Sequence, residues 1–208
     1  PHGKALSEAI AGAEGLPETK PGERHLILVD GSGYIFRAYH ALPPMTRPDG
    51  TPVNAVFGFT NMLSQFLLRH AASHIAVVFD AGRNTFRNEI YAAYKAHRPD
   101  PPPELVPQFG LIRDATDAFG VARVEHEGFE ADDVIGTLAK VAEKEGYTTY
   151  MMTPDKDFGQ LVSDKIFMYK PGRGGDPASI LGVKEVCEKF EVDDPLKVID
   201  ILGLWGDA

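Results

Sequence analysis

Acidic residues stand at the ends of apolar runs along this sequence. Leu26 to Val29 leads into Asp30, and Ile75 to Phe79 leads into Asp80. Val121 to Val124 leads through a short turn to Glu130, Asp132 and Asp133, and Tyr147 to Met152 leads to Asp155 and Asp157. Short β-branched runs alternating with helical patterns predict strands of a parallel sheet, whose carboxyl ends form the functional crevice. The acids would meet there. Two like charges 4 Å apart repel by about 4 kcal/mol at an effective dielectric of 20, so such a cluster requires a divalent cation, raised pKa values or a cationic partner. An all-oxygen donor set without cysteine or an evident histidine suits Mg²⁺ or Mn²⁺ over zinc.

Each acidic motif also has an ordinary reading. Asp30 could simply cap a turn. The run Glu130-Ala131-Asp132-Asp133 complements a helix dipole, although three acids exceed what capping needs and Glu130 and Asp133 share a face at i, i+3. Asp155 could be an N-cap. Val29 to Gly33 fails as a dinucleotide fingerprint, because Phe36 holds the third glycine position. Ser32 stands where an Asp-x-Asp phosphotransferase would carry its second acid. The conjunction of four strand ends is what favours metal binding.

A second constellation follows the second strand. Arg83, Arg87, Tyr91 and Lys95 fall at i, i+4, i+8 and i+12, a single stripe if the segment is helical, with Tyr94 and Arg98 as a neighbouring pair. Cations interleaved with aromatics suit phosphate contacts with base stacking. A solvated helix face is the alternative. The run has only Glu89 as counter-charge and emerges beside Asp80, which favours nucleic-acid contact. Arg37, after strand one, reads as surface-functional, and Tyr34 and Phe36 read as core.

These groups need elements to position them. Strands are predicted over 25–30, 75–79, 121–125, 147–152 and 165–169. Helices are predicted over 34–42, from Asn54 as cap, and over 104–119 and 131–145, the last ending at Gly146. A short helix after Asp155, a loop at 172–177, and helices at 182–190 and 195–204 complete the reading. The chain has 208 residues and a net charge of 21 − 30 = −9, enough for one α/β domain and against a generally basic nucleic-acid binder. The single Cys187 excludes an internal disulfide or a thiolate zinc site and suits a reducing cytoplasm. No apolar run approaches the ~20 residues of a membrane span. Glu8 and Glu14 argue against a signal peptide, and residues 1–23 read as a flexible extension. Pro1 in place of Met and the abrupt end at Ala208 read as a trimmed chain.

Five motifs occur in order: Leu28-Val29-Asp30-Gly31 with Tyr34 to His40; Val78-Phe79-Asp80; Phe86-Arg87 with Tyr94-Lys95-x-His97-Arg98-Pro99; Glu130 to Leu138; and Asp155-Lys156-Asp157 with Gln160-Leu161-Val162. Over residues 25–208 this set resembles the 5′-nuclease (flap endonuclease) domain at the N-terminus of bacterial DNA polymerase I. The resemblance implies a PIN-like α/β core over 24–208, with a mostly parallel central sheet, helices on both faces and a helical arch at about 81–103. It implies a structure-selective 5′-3′ exonuclease and flap endonuclease for primer removal and repair, with two Mg²⁺ or Mn²⁺ ions about 3.5–4 Å apart. Asp30, Asp80, Glu130, Asp132 and Asp133 would hold or surround one ion, and Asp155, Asp157 and Asp207 would serve the other. Lys95 and Arg98 would contact the scissile phosphate at the arch base. The substrate would be DNA with a single-stranded 5′ flap or end, and a polymerase domain is expected in the same full-length chain. Pro154 replaces a glycine common in the family. The family also continues, past a Gly-Asp like Gly206-Asp207, to another aspartate and a helical DNA-gripping segment that this sequence lacks. The other readings are a fragment that binds DNA without cutting, a PIN-type ribonuclease, and a Mg²⁺-dependent phosphatase, the last disfavoured by Ser32.

Overall fold

A computed structural model describes residue 16 and residues 23–70, 73–171 and 178–205. The elements run β1 (His25–Asp30), α1 (Gly31–Ala41), α2 (Asn54–Arg69), β2 (His74–Val78), α3 (Phe86–Ile90), α4 (Val106–Ala118) and β3 (Ala122–Val124). They continue with α5 (Ala131–Lys144), β4 (Thr148–Met152), β5 (Ile166–Lys170), β6 (Ser179–Leu181), α6 (Val183–Phe190) and α7 (Val198–Trp205). Turns of 3₁₀ helix cover Lys156–Leu161 and Pro195–Lys197. The strand order is β3-β2-β1-β4-β5-β6, giving the α/β class with a mostly parallel sheet. The expected five strands gain a sixth: β6 pairs antiparallel with β5. Most of the N-terminal extension, the loop at 172–177 and Asp207 lie outside the described residues. Among the described residues no helix is long and apolar enough to cross a membrane.

The chain falls into two compact units. The first spans residues 1–29, 67–75 and 135–208. There β1 pairs with β4 from His25–Thr148 to Val29–Met152, and β4 pairs with β5 from Thr149–Ile166 to Met152–Tyr169. Ile27, Leu28, Met151, Met152 and Ile166 are almost wholly buried, the continuous apolar pattern of a parallel strand covered on both sides. Gly146 takes a positive φ of 81° after α5, as a helix-ending glycine should.

The second unit spans residues 30–66 and 76–134. Here β2 pairs with β3 from Ala76–Ala122 to Val78–Val124, and Phe59 packs on Phe79 at 6.0 Å. Phe36 departs from its core assignment. It is 39% exposed and meets Phe109 edge-on, whereas Tyr34 is buried as expected. The cap expected from Asn54 is instead supplied by Gln108 on α4, whose Oε1 accepts from the N–H groups of Ala55 (2.8 Å) and Val56 (3.1 Å). Asn54 holds that amide in place, its Oδ1 accepting from Gln108 Nε2 at 2.9 Å. A side chain distant in sequence satisfies the orphan donors of α2 that a local cap would otherwise serve.

Candidate active site

Five of the predicted acids lie in the second unit, where main-chain contacts draw three strand ends together. Asp30, at the end of β1, is 5% exposed and caps α1, accepting from Gly33 N–H at 2.8 Å. A Cβ at Gly33 would run into the Asp30 carboxylate, so the glycine keeps that space open. Ser32 Oγ accepts from the N–H of Asp80 at 3.1 Å. Asp80 Oδ1 in turn accepts from the N–H of Ala131 at 2.7 Å, capping α5 from a neighbouring strand end. Glu130, Asp132 and Asp133 flank that same amide. Of these three, Asp133 has a side-chain bond to the main chain, on Glu130 N–H.

Glu130 and Asp133 are also matched by cations from residues 81–103. Arg87 forms a bidentate pair with Asp133, 2.7 Å on each arm, and lies 3.7 Å from Glu130. Lys95 Nζ donates to Glu130 Oε1 at 2.7 Å, and Tyr94 Oη donates to Oε2 at 3.3 Å. Asp133 Oδ2 further accepts from Glu130 N–H at 3.0 Å. The Arg87 hydrogen bonds hold the Asp133 carboxyl below the usual carboxylate range against the opposing effect of burial. Burial works against the Lys95 ammonium, yet Glu130 and then Tyr94 outweigh it and raise its pKa. Arg87 is likewise raised, chiefly by Asp133. Among the described residues no group of three or more His, Cys, Asp or Glu is arranged to hold a metal ion.

The single basic stripe is absent. Only Phe86–Ile90 is helical, Tyr91 is extended (φ −141°), and Lys95 has a φ of 53°. The backbone turns at 92–97 and delivers Lys95 to Glu130 in place of a helix face. A left-handed backbone at a lysine is uncommon and is held by its surroundings. Arg83 pairs with Asp100 and donates to the Arg98 carbonyl at 3.1 Å, tying together the two ends of the segment. Tyr91 is 64% exposed, Arg98 is exposed, and Arg37 lies over the Tyr34 ring at 5.6 Å.

Asp155 and Asp157 belong to the first unit. Asp155 caps the 3₁₀ turn, its Oδ1 accepting from Asp157 N–H at 2.9 Å, while its own N–H donates to Thr153 Oγ1 at 3.1 Å. Lys156 Nζ lies 3.8 Å from Asp157. Sequence reasoning missed Arg113, which donates to the Asp80 carbonyl at 2.9 Å, and Gln108. Neither belongs to a motif, and both reach their targets from α4 across long sequence separations.

Residues 25–191 match the family model for the 5′-3′ exonuclease, N-terminal resolvase-like domain. The chain is 50% identical over 193 residues to DNA polymerase I of Rhizobium leguminosarum, an alignment covering 88% of this chain and 18% of that protein. It is 37% identical over 182 residues to a 5′-3′ exonuclease of Aquifex aeolicus, covering 88% of this chain and 61% of that one. The fold resembles the bacteriophage T5 flap endonuclease solved as a pseudo-enzyme-product complex with DNA and metal ions. The TM-score is 0.66 at 22% identity, over 88% of this chain and 67% of that one.

Proposed function

The chain belongs to the 5′-3′ exonuclease, N-terminal resolvase-like domain family, and on that premise we propose that it is a divalent-metal-dependent 5′-3′ exonuclease and flap endonuclease acting on DNA. It would serve primer removal and repair in the cytoplasm, within a longer chain that carries a polymerase domain. The observation that carries the reading is the linkage of three strand-end acids. Asp30, Asp80 and Glu130 are tied through Ser32 and Ala131, with Arg87 and Lys95 beside them. The acids are hard carboxylate ligands of the kind Mg²⁺ and Mn²⁺ take, and holding an ion requires Glu130 and Asp133 to turn from their present partners Lys95 and Arg87.

Residues 24–208 form the catalytic domain in this reading, with 81–103 as the arch. Asp30, Asp80, Glu130, Asp132 and Asp133 hold or surround one Mg²⁺ or Mn²⁺, and Asp155, Asp157 and Asp207 serve a second. The chemistry supplied by such ions is activation of water and stabilisation of the leaving oxygen. Lys95 and Arg98 contact the scissile phosphate, while Arg37, Arg83, Arg87, Tyr91 and Tyr94 line the path of the strand. The pairs Lys95–Glu130 and Arg87–Asp133 keep the cations and acids mutually neutralised at rest. Once the carboxylates take other partners, both cations are released toward phosphate without any net change of charge in the segment.

An end-labelled DNA duplex with a 5′ flap, incubated with Mg²⁺, with Mn²⁺ or with EDTA, tests the reading. The expected product lies near the flap junction, appears only with metal, and is lost in Asp132→Asn. Metal binding without any product would sink it.

A further inference from the structure

We propose that Arg113 is a positioning residue for Asp80, fixing through the main chain the direction of a carboxylate that the reading above places at the metal; the inference rests on that reading. The ladder between β2 and β3 ends just before Asp80, with Phe79 N–H donating to the Val124 carbonyl at 3.0 Å. At the next residue Ser32 receives the N–H, and Arg113 Nη2 donates to the carbonyl at 2.9 Å. Arg113 takes over where the sheet stops and the segment carrying Arg87 and Lys95 begins. With both peptide groups held, the two side-chain torsions of Asp80 remain, and the hydrogen bond from the Ala131 N–H at 2.7 Å restrains them.

Arg113 is itself held on every side. Its Nε lies 3.1 Å from both oxygens of Glu125, its Nη1 donates to the Phe109 carbonyl at 3.3 Å, and its guanidinium sits 5.1 Å from the Phe79 ring centroid. Glu125 also accepts from Arg123 Nη1 at 2.6 Å, and Arg123 Nε donates to Asp117 at 3.1 Å. A planar five-donor fork can satisfy these directions together, and a lysine ammonium cannot. Arg113 and Glu125 are each 22% exposed, so their ion pair alone contributes little to stability. What sets Arg113 apart from the outer Arg123 is its target, the backbone of an acid in the site. Orienting partners of this kind commonly control ligand geometry at metal centres.

The test is Mn²⁺ binding to the 208-residue chain, followed by paramagnetic resonance of the free ion, with hydrogen exchange at the Ala131 amide as a second readout. Arg113→Met should weaken Mn²⁺ binding by about tenfold and speed exchange at Ala131, whose acceptor is no longer held in place. Arg113→Lys should recover part of both, and Glu125→Gln should follow Arg113→Met in direction. Arg123→Gln, which breaks only the outer pairs, should leave both readouts unchanged. If Arg113→Met fails to fold, Arg113→Lys and Glu125→Gln carry the same comparison. Unaltered Mn²⁺ binding and unaltered Ala131 exchange in folded Arg113 variants would overturn the inference alone. Absence of Mn²⁺ binding by the unsubstituted chain would overturn the metal reading and the inference with it.

Discussion

Two short acidic segments follow strands in this chain, and they are handled in opposite ways. Glu130 to Asp133, after β3, and Asp155 to Asp157, after β4, both set a carboxylate on a main-chain N–H at the start of a helical turn, Asp133 on Glu130 and Asp155 on Asp157. At the first, Arg87 and Lys95 approach the acids to 2.7 Å and leave their side chains between 14% and 31% exposed. At the second, the adjacent Lys156 lies 3.8 Å from Asp157, with both side chains about 40% exposed. Similar acidic turns therefore differ in their electrostatics. Glu130 and Asp133 are each already paired with a cation, so an ion that takes either of them must compete with Lys95 or Arg87.

The largest effect expected from this difference is on catalysis. Asp80→Asn keeps the shape of the cap to Ala131 but removes the charge, and it should lower metal-dependent flap cleavage by at least about a hundredfold with the melting temperature little changed. Next in size is Arg87→Met. Losing a half-buried bidentate partner of Asp133 should destabilise the metal-free protein by about 1–2 kcal/mol in chemical denaturation. The same substitution should tighten Mn²⁺ binding, because the bidentate cation competing for Asp133 is gone. Loss of stability without tighter binding would break the comparison at its first member.

How much of this was legible in the sequence depends on the range of each contact. The strand-end acids could be read directly, because alternation of apolar runs and helical patterns is a local signal, and Asp30 and Asp155 do cap the turns that follow. The cationic segment was recognised as basic and aromatic, but its geometry was not. An i, i+4 spacing is meaningful only if the helix continues, and here it stops at Ile90. The positive φ of Lys95, which aims the side chain at Glu130, has no signature at a lysine. Gln108 and Arg113 were illegible for a related reason: each acts on residues dozens of positions away in the chain, from a helix whose own pattern only says that it is amphipathic. β6 was missed because three residues after a glycine-rich loop give too short a period to count.

Acid and base titrations sharpen the comparison with smaller effects. The Asp133 carboxyl is depressed in the folded state by Arg87, so its contribution is complete above the ordinary aspartate value of 3.8 and is lost as pH falls below it. Lys95 is raised by Glu130, so its contribution is complete below 10.5 and is lost as pH climbs through the raised value. Melting temperatures measured against pH should therefore fall on both limbs. Arg87→Met should flatten the acid limb and Lys95→Met the alkaline one, and an acid limb untouched by Arg87→Met would place its origin elsewhere.

The smallest effect is expected at the second segment, and it separates a local cap from an ion pair. Lys156 lies beside Asp157, but at 3.8 Å and with this exposure the attraction is screened by water and opposed by side-chain entropy. Lys156→Met should shift stability by no more than about 0.5 kcal/mol at any salt concentration. Asp155→Ala removes the carboxylate that accepts from Asp157 N–H, and it should cost about 1 kcal/mol, as loss of an N-cap does. If Lys156→Met proved as costly as Asp155→Ala, the segment would be held by charge after all, and the two acidic turns would differ only in degree.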